Sequence, residues 1–537
     1  RAQAAGPRPR PPAPRRPGVR VLFGDLYHYT MAHSLWRCGR HRTGAVFELF
    51  FRDNPFGGGF TIFAGLQNCL SFIHSFSLSS TDGEPAEPGA VGVTERERVD
   101  ASCGVLDDPH LVEGRVGKAD EQGRVALMEV SGPLAVVQLL ETPLLNLVNY
   151  ASLVATNAAR FRLLVGPRIK LFELGLRRAQ GPDGGLSGSK YSYIGGFDYT
   201  SNLLAGKLYG IPVRGSMAHS YITSFTSISE LTFQTLKPVG DGAAVDFVGL
   251  SERWLGRVCR LLEESEEFPD AGERAAFISF ALCYPSNFVA LVDTYSVRRS
   301  GLPNFCAVAL TLDELGYRAI GVRLDSGDLR QQSLHCRSVF RACSQTFEVP
   351  WFANLSIMAS NNISEENLKE LQCQEHEIDY IGVGTNLVTC PLQPSLGCVY
   401  KLTEVNGKAR IKLSEDQSKT TLPGRKNSYR LYSPDGHPLL DLLTLHSEEA
   451  PRAGEEVQCC ALGRKMERLQ VTAANVEPLL SVYFERGQLL GTPPSVSDVR
   501  SRAQTSLSNL PHAHRGLDHP VPYQVLPPPP PRRTTLL

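Results

Sequence analysis

Residues 323–328 read RLDSGD, which sets one guanidinium and two carboxylates around a single glycine, directly behind the apolar run AIGV. A strand that merely ends needs one Asp or Asn to cap the helix that follows. Three charges in that space ask for a charged ligand. Carboxylates here suit a divalent cation such as Mg2+ or the hydroxyls of a sugar. Arg323 can neutralise an anion or stack on a ring. Three other apolar segments end in the same manner: LVDTYS brings Asp293, MASNN brings Ser360, Asn361 and Asn362, and VGTNLVT brings Gly384, Thr385 and Asn386. The Gly-x-Gly-Thr turn at 382–385 exposes backbone N–H groups of the kind that cradle phosphate. Each piece alone is ordinary punctuation. Together, at successive strand ends, they point to a phosphate- and sugar-binding site.

Two further clusters carry chemistry. In VRGSMAHSYITSF, His219 sits among Ser216, Ser220, Thr223 and Ser224. It is either a helix-capping histidine or a reactive imidazole whose protonation is set by its neighbours. In LFELGLRRAQGPDGG, Arg177 and Arg178 follow a helix-like run and precede a glycine turn. Adjacent arginines there form a solvated face or an anion clamp.

The elements that must position these residues follow from the pattern of apolar runs. Between Phe288 and Val388, strands are expected to end at Val292, Leu324, Ala359 and Val383, with helical segments such as LPNFCAVALTLDELG and LRQQSLHCRSVFRACSQ between them. Strand–helix–strand units of roughly 25 to 35 residues argue for parallel strands with right-handed crossovers, in an open sheet or a barrel. Upstream, the aromatic stretch from Ala45 to Phe76 reads as strands around a Gly-rich turn, then a helix from Leu66. VALMEVSGP reads as a strand with a helix starting near Pro133, and 173–206, rich in Gly, Ser and Tyr, as loop. After Gly397 the chain reads as β hairpins, one with an Asn-Gly turn, expected to pack with the N-terminal strands. Residues 1–18 are a Pro/Arg-rich tail expected to be disordered. Residues 78–123 are polar and without period, so loop or disordered, and 506–537 form a second tail.

Bulk composition removes several function classes. Lys plus Arg equals Asp plus Glu at 55 each, so no global field favours nucleic acid or an anionic membrane. The 13 cysteines show no CxxC pair, which fits reduced thiols better than a disulfide framework or zinc site. No run approaches ~18 uninterrupted apolar residues, and the basic N-terminus lacks the apolar core of a signal peptide.

The motifs LFGDLYHYTMA, FELFFRDNPFGGGF, LRRAQGPDGG, GSMAHS, VDTYSVRRSGLPNF, GVRLDSGDL, YIGVGTNLVT and PSLGCVYKL together resemble the nicotinate phosphoribosyltransferase family, over roughly 20–77 and 125–500. The resemblance implies an α/β fold: an irregular α/β barrel over 133–396, with a second β-rich domain built from N- and C-terminal segments, 19–132 and 397–505. It also implies a cytosolic homodimer with active sites at the interface. The implied reaction makes nicotinate mononucleotide and pyrophosphate from nicotinate and phosphoribosyl pyrophosphate, coupled to ATP hydrolysis, with Mg2+ (or Mn2+).

Residue by residue, the resemblance gives His219 as the histidine that ATP phosphorylates and Tyr27 as a ring-stacking residue from the partner subunit. Ser216, Arg177 and Arg323 become nicotinate contacts. Asp293 and Asp325 surround ribose, pyrophosphate and metal. Thr385, Gly384, Ser360 and Asn361 take the 5′-phosphate. Nicotinamide-using relatives place an Asp against the amide; YTSNLLAG here offers Ser201 and Asn202 and no carboxylate, which favours the acid. The polar 78–123 stretch supports an alternative, a catalytically impaired splice or gene-model variant acting only through dimerisation.

Overall fold

The structure is a computed structural model. It describes residues 23–76, 102–106, 111–112, 125–240, 242–412, 422–461 and 467–527. The 1–18 tail, most of 78–123 and the closing residues 528–537 lie outside the described residues. The chain divides into two compact units, 1–153 with 395–537, and 154–394.

The first unit joins both ends of the chain in one sheet. Strand Gly44–Phe51 lies between Cys398–Val405 and Met128–Pro133, antiparallel to both. Its sequence GAVFELFF is buried on both faces after the first residue, as a central strand requires. Phe47 stacks on Tyr400 at 4.8 Å between ring centroids. The hairpin from Cys398–Val405 to Lys408–Ala409 turns at Asn406 and Gly407, with φ of 47° and 70°, the two-residue geometry that an Asn-Gly pair predicts.

Two stretches of this unit depart from the sequence reading. Within 78–123, strand Ser102–Leu106 pairs with Met128–Pro133 on one side and Leu480–Glu485 on the other, and Leu111–Val112 pairs with Thr61–Ile62. Backbone pairing of this kind needs no periodic pattern, so composition hid it. The helix Val496–Asn509, which starts at Ser495 with a capping box in the segment expected to be β-rich, runs four residues into the expected tail. Strand Val525–Leu526 then adds parallel to Pro438–Leu445, and buried Tyr523 donates its hydroxyl to Asp441 Oδ1 at 3.2 Å. Those few apolar residues anchor what a proline-rich context had masked.

The second unit is built on six parallel strands in the order Val289–Leu291, Gly321–Leu324, Ser356–Ala359, Tyr380–Val383, Lys170–Glu173, Tyr199–Thr200. The first four are the strands expected from the sequence. Helices Leu302–Glu314 and Leu329–Thr346 are crossovers. Phe288, Phe305, Phe340 and Phe352 run as a chain of ring contacts through the core beneath them. Side chains from both edge strands, Val289 and Tyr199 among them, line one cavity of about 520 Å³. Among the described residues no strand joins those two edges, so the irregular barrel takes the form of a curled half-barrel.

The region read as loop, 173–206, instead contains the 15-residue helix Gly181–Gly195. Its glycines and serines serve close packing rather than flexibility. A Cβ on Gly195 would stand 2.2 Å from the Ala155 carbonyl oxygen, and Ser189 and Ser192 are buried. LFEL, which looked helical, forms most of strand Lys170–Glu173.

Candidate active site

Parallel strands deliver all their carboxyl ends to one edge of the sheet, and the predicted polar residues gather there. Asp293 follows Val289–Leu291 by two residues; Asp325 directly follows Gly321–Leu324. Asp293 Oδ2 accepts the backbone N–H of Asp325 at 2.9 Å and the hydroxyl of Ser326. Its other oxygen, Oδ1, is buried without a hydrogen-bond partner. The short helix His219–Ile222 brings the imidazole over this carboxylate. His219 Nδ1 lies 3.0 Å from Thr294 Oγ1, while Nε2 lies 3.8 Å from Asp325 Oδ2 and 4.0 Å from Asp293 Oδ1. The ring is 42% exposed and the Asp293 side chain 2%, so a solvent-reachable imidazole stands in front of a locked carboxylate. One ring nitrogen is oriented by a hydroxyl and the other faces two acids. Such an imidazole can exchange a proton or accept an electrophilic group.

Arg323 closes the second part of the site. Its Nε donates to Ser360 Oγ at 2.9 Å, and a terminal nitrogen lies 3.2 Å from Asp325 Oδ1. Ser360 in turn donates its hydroxyl hydrogen bond to that same oxygen at 2.7 Å. The serine therefore locks the guanidinium and the carboxylate into one triangle, and its hydroxyl proton is committed there. Gly327, with φ of 73°, turns the chain after Asp325 in a conformation that favours glycine. Arg323 also lines the 520 Å³ cavity with Ser216, Arg214, Phe172, Tyr199 and Tyr380. Aromatic walls with a cation at one side suit a flat ring bearing an acid group.

The remaining predicted residues are placed as follows. Gly384 and Thr385 open the helical turn Thr385–Val388 at the next strand end, and Asn361 is exposed beside Asn362, whose φ is 44°. Arg177 is exposed in the turn after Lys170–Glu173, whose last residue pairs with Val383. Tyr27 belongs to the other unit, on helix Leu26–Arg37, and is 53% exposed. Thus His219, Asp293, Asp325, Arg323 and Ser360 meet directly, Ser216 shares the cavity of Arg323, and the others occupy neighbouring turns or the other unit. Thr294 and Ser326 were missed. Their signal was present, since each hydroxyl directly follows a strand-end aspartate.

Among the described residues no group of three or more His, Cys, Asp or Glu side chains is arranged to hold a metal ion by itself. The unpartnered Asp293 Oδ1 and the half-buried Asp325 still offer a hard cation two oxygens. That donor set fits a cation whose other ligands are water and substrate phosphate.

Two sequence models match this chain: the nicotinate phosphoribosyltransferase N-terminal domain over residues 22–84 and the C-terminal domain over 425–526. Nicotinate phosphoribosyltransferase of Bos taurus is 51% identical over 515 residues, 95% of each chain. That of Homo sapiens is 50% identical over 518 residues, again 95% of each. Nicotinate phosphoribosyltransferase 2 of Arabidopsis thaliana is 44% identical over 95% of this chain and 93% of its own. The crystal structure of human nicotinic acid phosphoribosyltransferase superposes with a TM-score of 0.81 at 47% identity, covering 94% of this chain and 97% of that one. A nicotinate-nucleotide pyrophosphorylase from Pyrococcus furiosus, 18% identical over 91% of this chain and 95% of its own, shares the fold at a TM-score of 0.57.

Proposed function

Since this chain belongs to the nicotinate phosphoribosyltransferase family, we propose that it joins nicotinate to phosphoribosyl pyrophosphate with ATP hydrolysed alongside. The products are nicotinate mononucleotide and pyrophosphate, the first step from nicotinate to NAD, in the cytosol. What supports the reading is the meeting of Arg323, Asp325, Asp293 and His219 beside an aromatic cavity.

In this mechanism the guanidinium N–H groups of Arg323 not given to Ser360 meet the nicotinate carboxylate, with Ser216 and Arg177 as further polar contacts. Tyr27 from a second copy of the chain stacks on the pyridine ring, so the working form is a homodimer. Thr385, Gly384 and Asn361 hold the 5′-phosphate, and Ser360 joins them through its backbone. The ring nitrogen attacks the anomeric carbon as the bond to pyrophosphate breaks. Positive charge spreads over the ribose in that transition state, and Asp325 and Asp293 face it. Positioning and fixed charge then carry most of the rate. Asp293 and Asp325 would hold Mg2+ or Mn2+, which would supply positive charge for the pyrophosphate leaving group. His219 takes the terminal phosphoryl group of ATP on a ring nitrogen and releases ADP; water later cleaves the N–P bond, returning phosphate and free imidazole.

The test uses the purified full chain with nicotinate, phosphoribosyl pyrophosphate and Mg2+, with and without ATP. Chromatography is expected to show nicotinate mononucleotide in both, with more in the presence of ATP. Radiolabel from the γ-phosphate of ATP should appear on the protein and vanish in His219→Ala. A folded protein that makes no product would overturn the reading and return the case to a catalytically impaired variant.

A further inference from the structure

The turn that carries Gly384 and Thr385 is too short to hold itself in place. Thr385–Val388 is a single helical turn, and its last carbonyls have no continuing helix to accept from. Thr385 itself is exposed, while Leu387 and Val388 beneath it are buried. Cys390 Sγ reaches the Leu387 carbonyl at 3.5 Å, and the shorter bonds come from one side chain far away in sequence. Asn157, itself 7% exposed, points its amide nitrogen at the carbonyl oxygens of Asn386, at 2.8 Å, and Leu387, at 3.0 Å. The same nitrogen lies 3.5 Å from Cys390 Sγ. From the turn, Asn386 Nδ2 donates to the Ile363 carbonyl at 2.7 Å, which ties it to the segment following Ser360 and Asn361.

A second residue on the same helix face secures that neighbouring segment. Arg160, three positions on from Asn157 in helix Glu141–Val165, makes a two-bond pair with Glu365 at 2.9 and 2.7 Å. Glu365 is the first residue of helix Glu365–Gln372, which starts two residues after Ile363. One helix face thereby braces both turns that frame the proposed phosphate site.

We propose that Asn157 is a positioning residue for phosphoribosyl pyrophosphate: it holds the Gly384–Thr385 turn in its phosphate-ready conformation before substrate arrives. The proposal rests on the reading that this turn takes the 5′-phosphate. A cradle made of backbone N–H groups works only if those groups already converge, because ordering them at binding would subtract from affinity. Removing the donors behind the turn loosens it without touching the cavity that holds Arg323 and Ser216.

Asn157→Leu keeps the side-chain volume and removes both donors. Its KM for phosphoribosyl pyrophosphate is expected to rise about ten-fold or more, the scale of losing buried hydrogen bonds behind a positioned group. Its KM for nicotinate should stay within about two-fold and its melting temperature close to that of the parent. Equal rises in both KM values, or no rise in either, would overturn the proposal. If Asn157→Leu does not fold, Asn157→Ser removes the reach of the donors without adding apolar bulk and is read by the same criteria. Thr385→Val is measured beside it. An unchanged KM for phosphoribosyl pyrophosphate in Thr385→Val removes the phosphate reading of the turn. An impaired Thr385→Val with a normal Asn157→Leu removes only the role given to Asn157.

Discussion

The two ends of the parallel sheet in 154–394 both carry Arg–Asp pairs, and they complete them in opposite ways. At the amino ends, Asp379 directly precedes Tyr380–Val383 and Asp198 directly precedes Tyr199–Thr200. Asp379 Oδ2 accepts the backbone N–H of Ile357 at 2.9 Å, and its own N–H donates to the Ile357 carbonyl at 2.9 Å. Asp198 does the same with Leu171, at 2.9 and 2.9 Å. An arginine completes each: Arg337 binds Asp379 and the carbonyls of Ala353 and Leu355, while Arg162 binds Asp198 and the carbonyls of Gly166, Ile169 and Gly196. Leu355 and Ile169 each immediately precede the strand being clamped, so the device recurs in register. At the carboxyl ends, by contrast, Asp293 keeps one oxygen without a hydrogen bond and His219 stands half-open to solvent. A polar network whose valences are filled holds strands together, and one left unfilled waits for a ligand.

The contrast breaks first, and most visibly, at Asp293. Asn at this position keeps an oxygen for the Asp325 N–H and removes the charge facing the reacting centre. Turnover of nicotinate is expected to fall by about a thousand-fold, the upper scale for a lost preorganised electrostatic contact. The melting curve should barely move. Loss of the fold in Asp293→Asn would mean that the carboxyl end is a brace like the other.

The reverse experiment is Arg337→Met. It strips a buried guanidinium from two carbonyls and two carboxylates. Breaking such a network costs about 3 kcal/mol. The thermal midpoint should drop by several degrees while turnover per folded molecule is kept. Differential scanning calorimetry with active-site titration separates the two quantities.

Legibility in the sequence followed the same division. The carboxyl-end residues were readable because each is a polar break after an apolar run, and such a break is local. The amino-end braces were not, because Arg162 and Arg337 look like ordinary helix-surface charges until the helix is laid against the sheet. Lys170–Glu173 was hidden because LFELGLRR has helical spacing, and Gly181–Gly195 because small residues chosen for close approach to Ala155 read as loop. Thr294 could be seen, but only the fold shows that its hydroxyl meets His219. Asn157 carried no signal at all, since its partners are backbone carbonyls more than two hundred positions away.

Glu273 sharpens the contrast with a third kind of completion. It is fully buried, receives hydrogen bonds from Ser300 and Asn304 on one oxygen, and leaves the other without a partner. Asn304 Oδ1 is also buried and without one. A proton on the carboxyl supplies the missing donor, and burial, reinforced by Asp270 and Asp293 against the two hydrogen bonds, pushes its pKa up to about 7. The ordinary value of 4.5 applies in the unfolded chain, so between these values the unfolded chain sheds its proton first. Stability therefore falls as pH rises through that window and levels off above it. Glu273→Gln carries the amide hydrogens permanently. It should be more stable than the parent above pH ~7, by on the order of 3 kcal/mol, and indistinguishable below pH ~4.5. Melting curves with a pH-independent difference would show the carboxyl to be ionised throughout.

The smallest expected effect is at Asp198, and it bears on substrate choice. Asp198 stands directly before the YTSNLLAG segment, three residues ahead of Ser201, close enough in sequence to be tested for a part in discriminating nicotinate from nicotinamide. Its Oδ2 is taken by Arg162 and the Leu171 N–H, and its other oxygen lies 3.9 Å from Lys170 Nζ. A carboxylate so engaged at the amino end of a strand has no charge to spare for a ligand at the carboxyl end. Asn at this position keeps an acceptor for Leu171 and loses the charge on Arg162, a partly exposed exchange costing about 1 kcal/mol. The ratio of kcat/KM for nicotinate to that for nicotinamide should stay within about two-fold. A rise in nicotinamide use would instead mean that Asp198 reaches the pocket, and the separation between bracing end and binding end would fail at this strand.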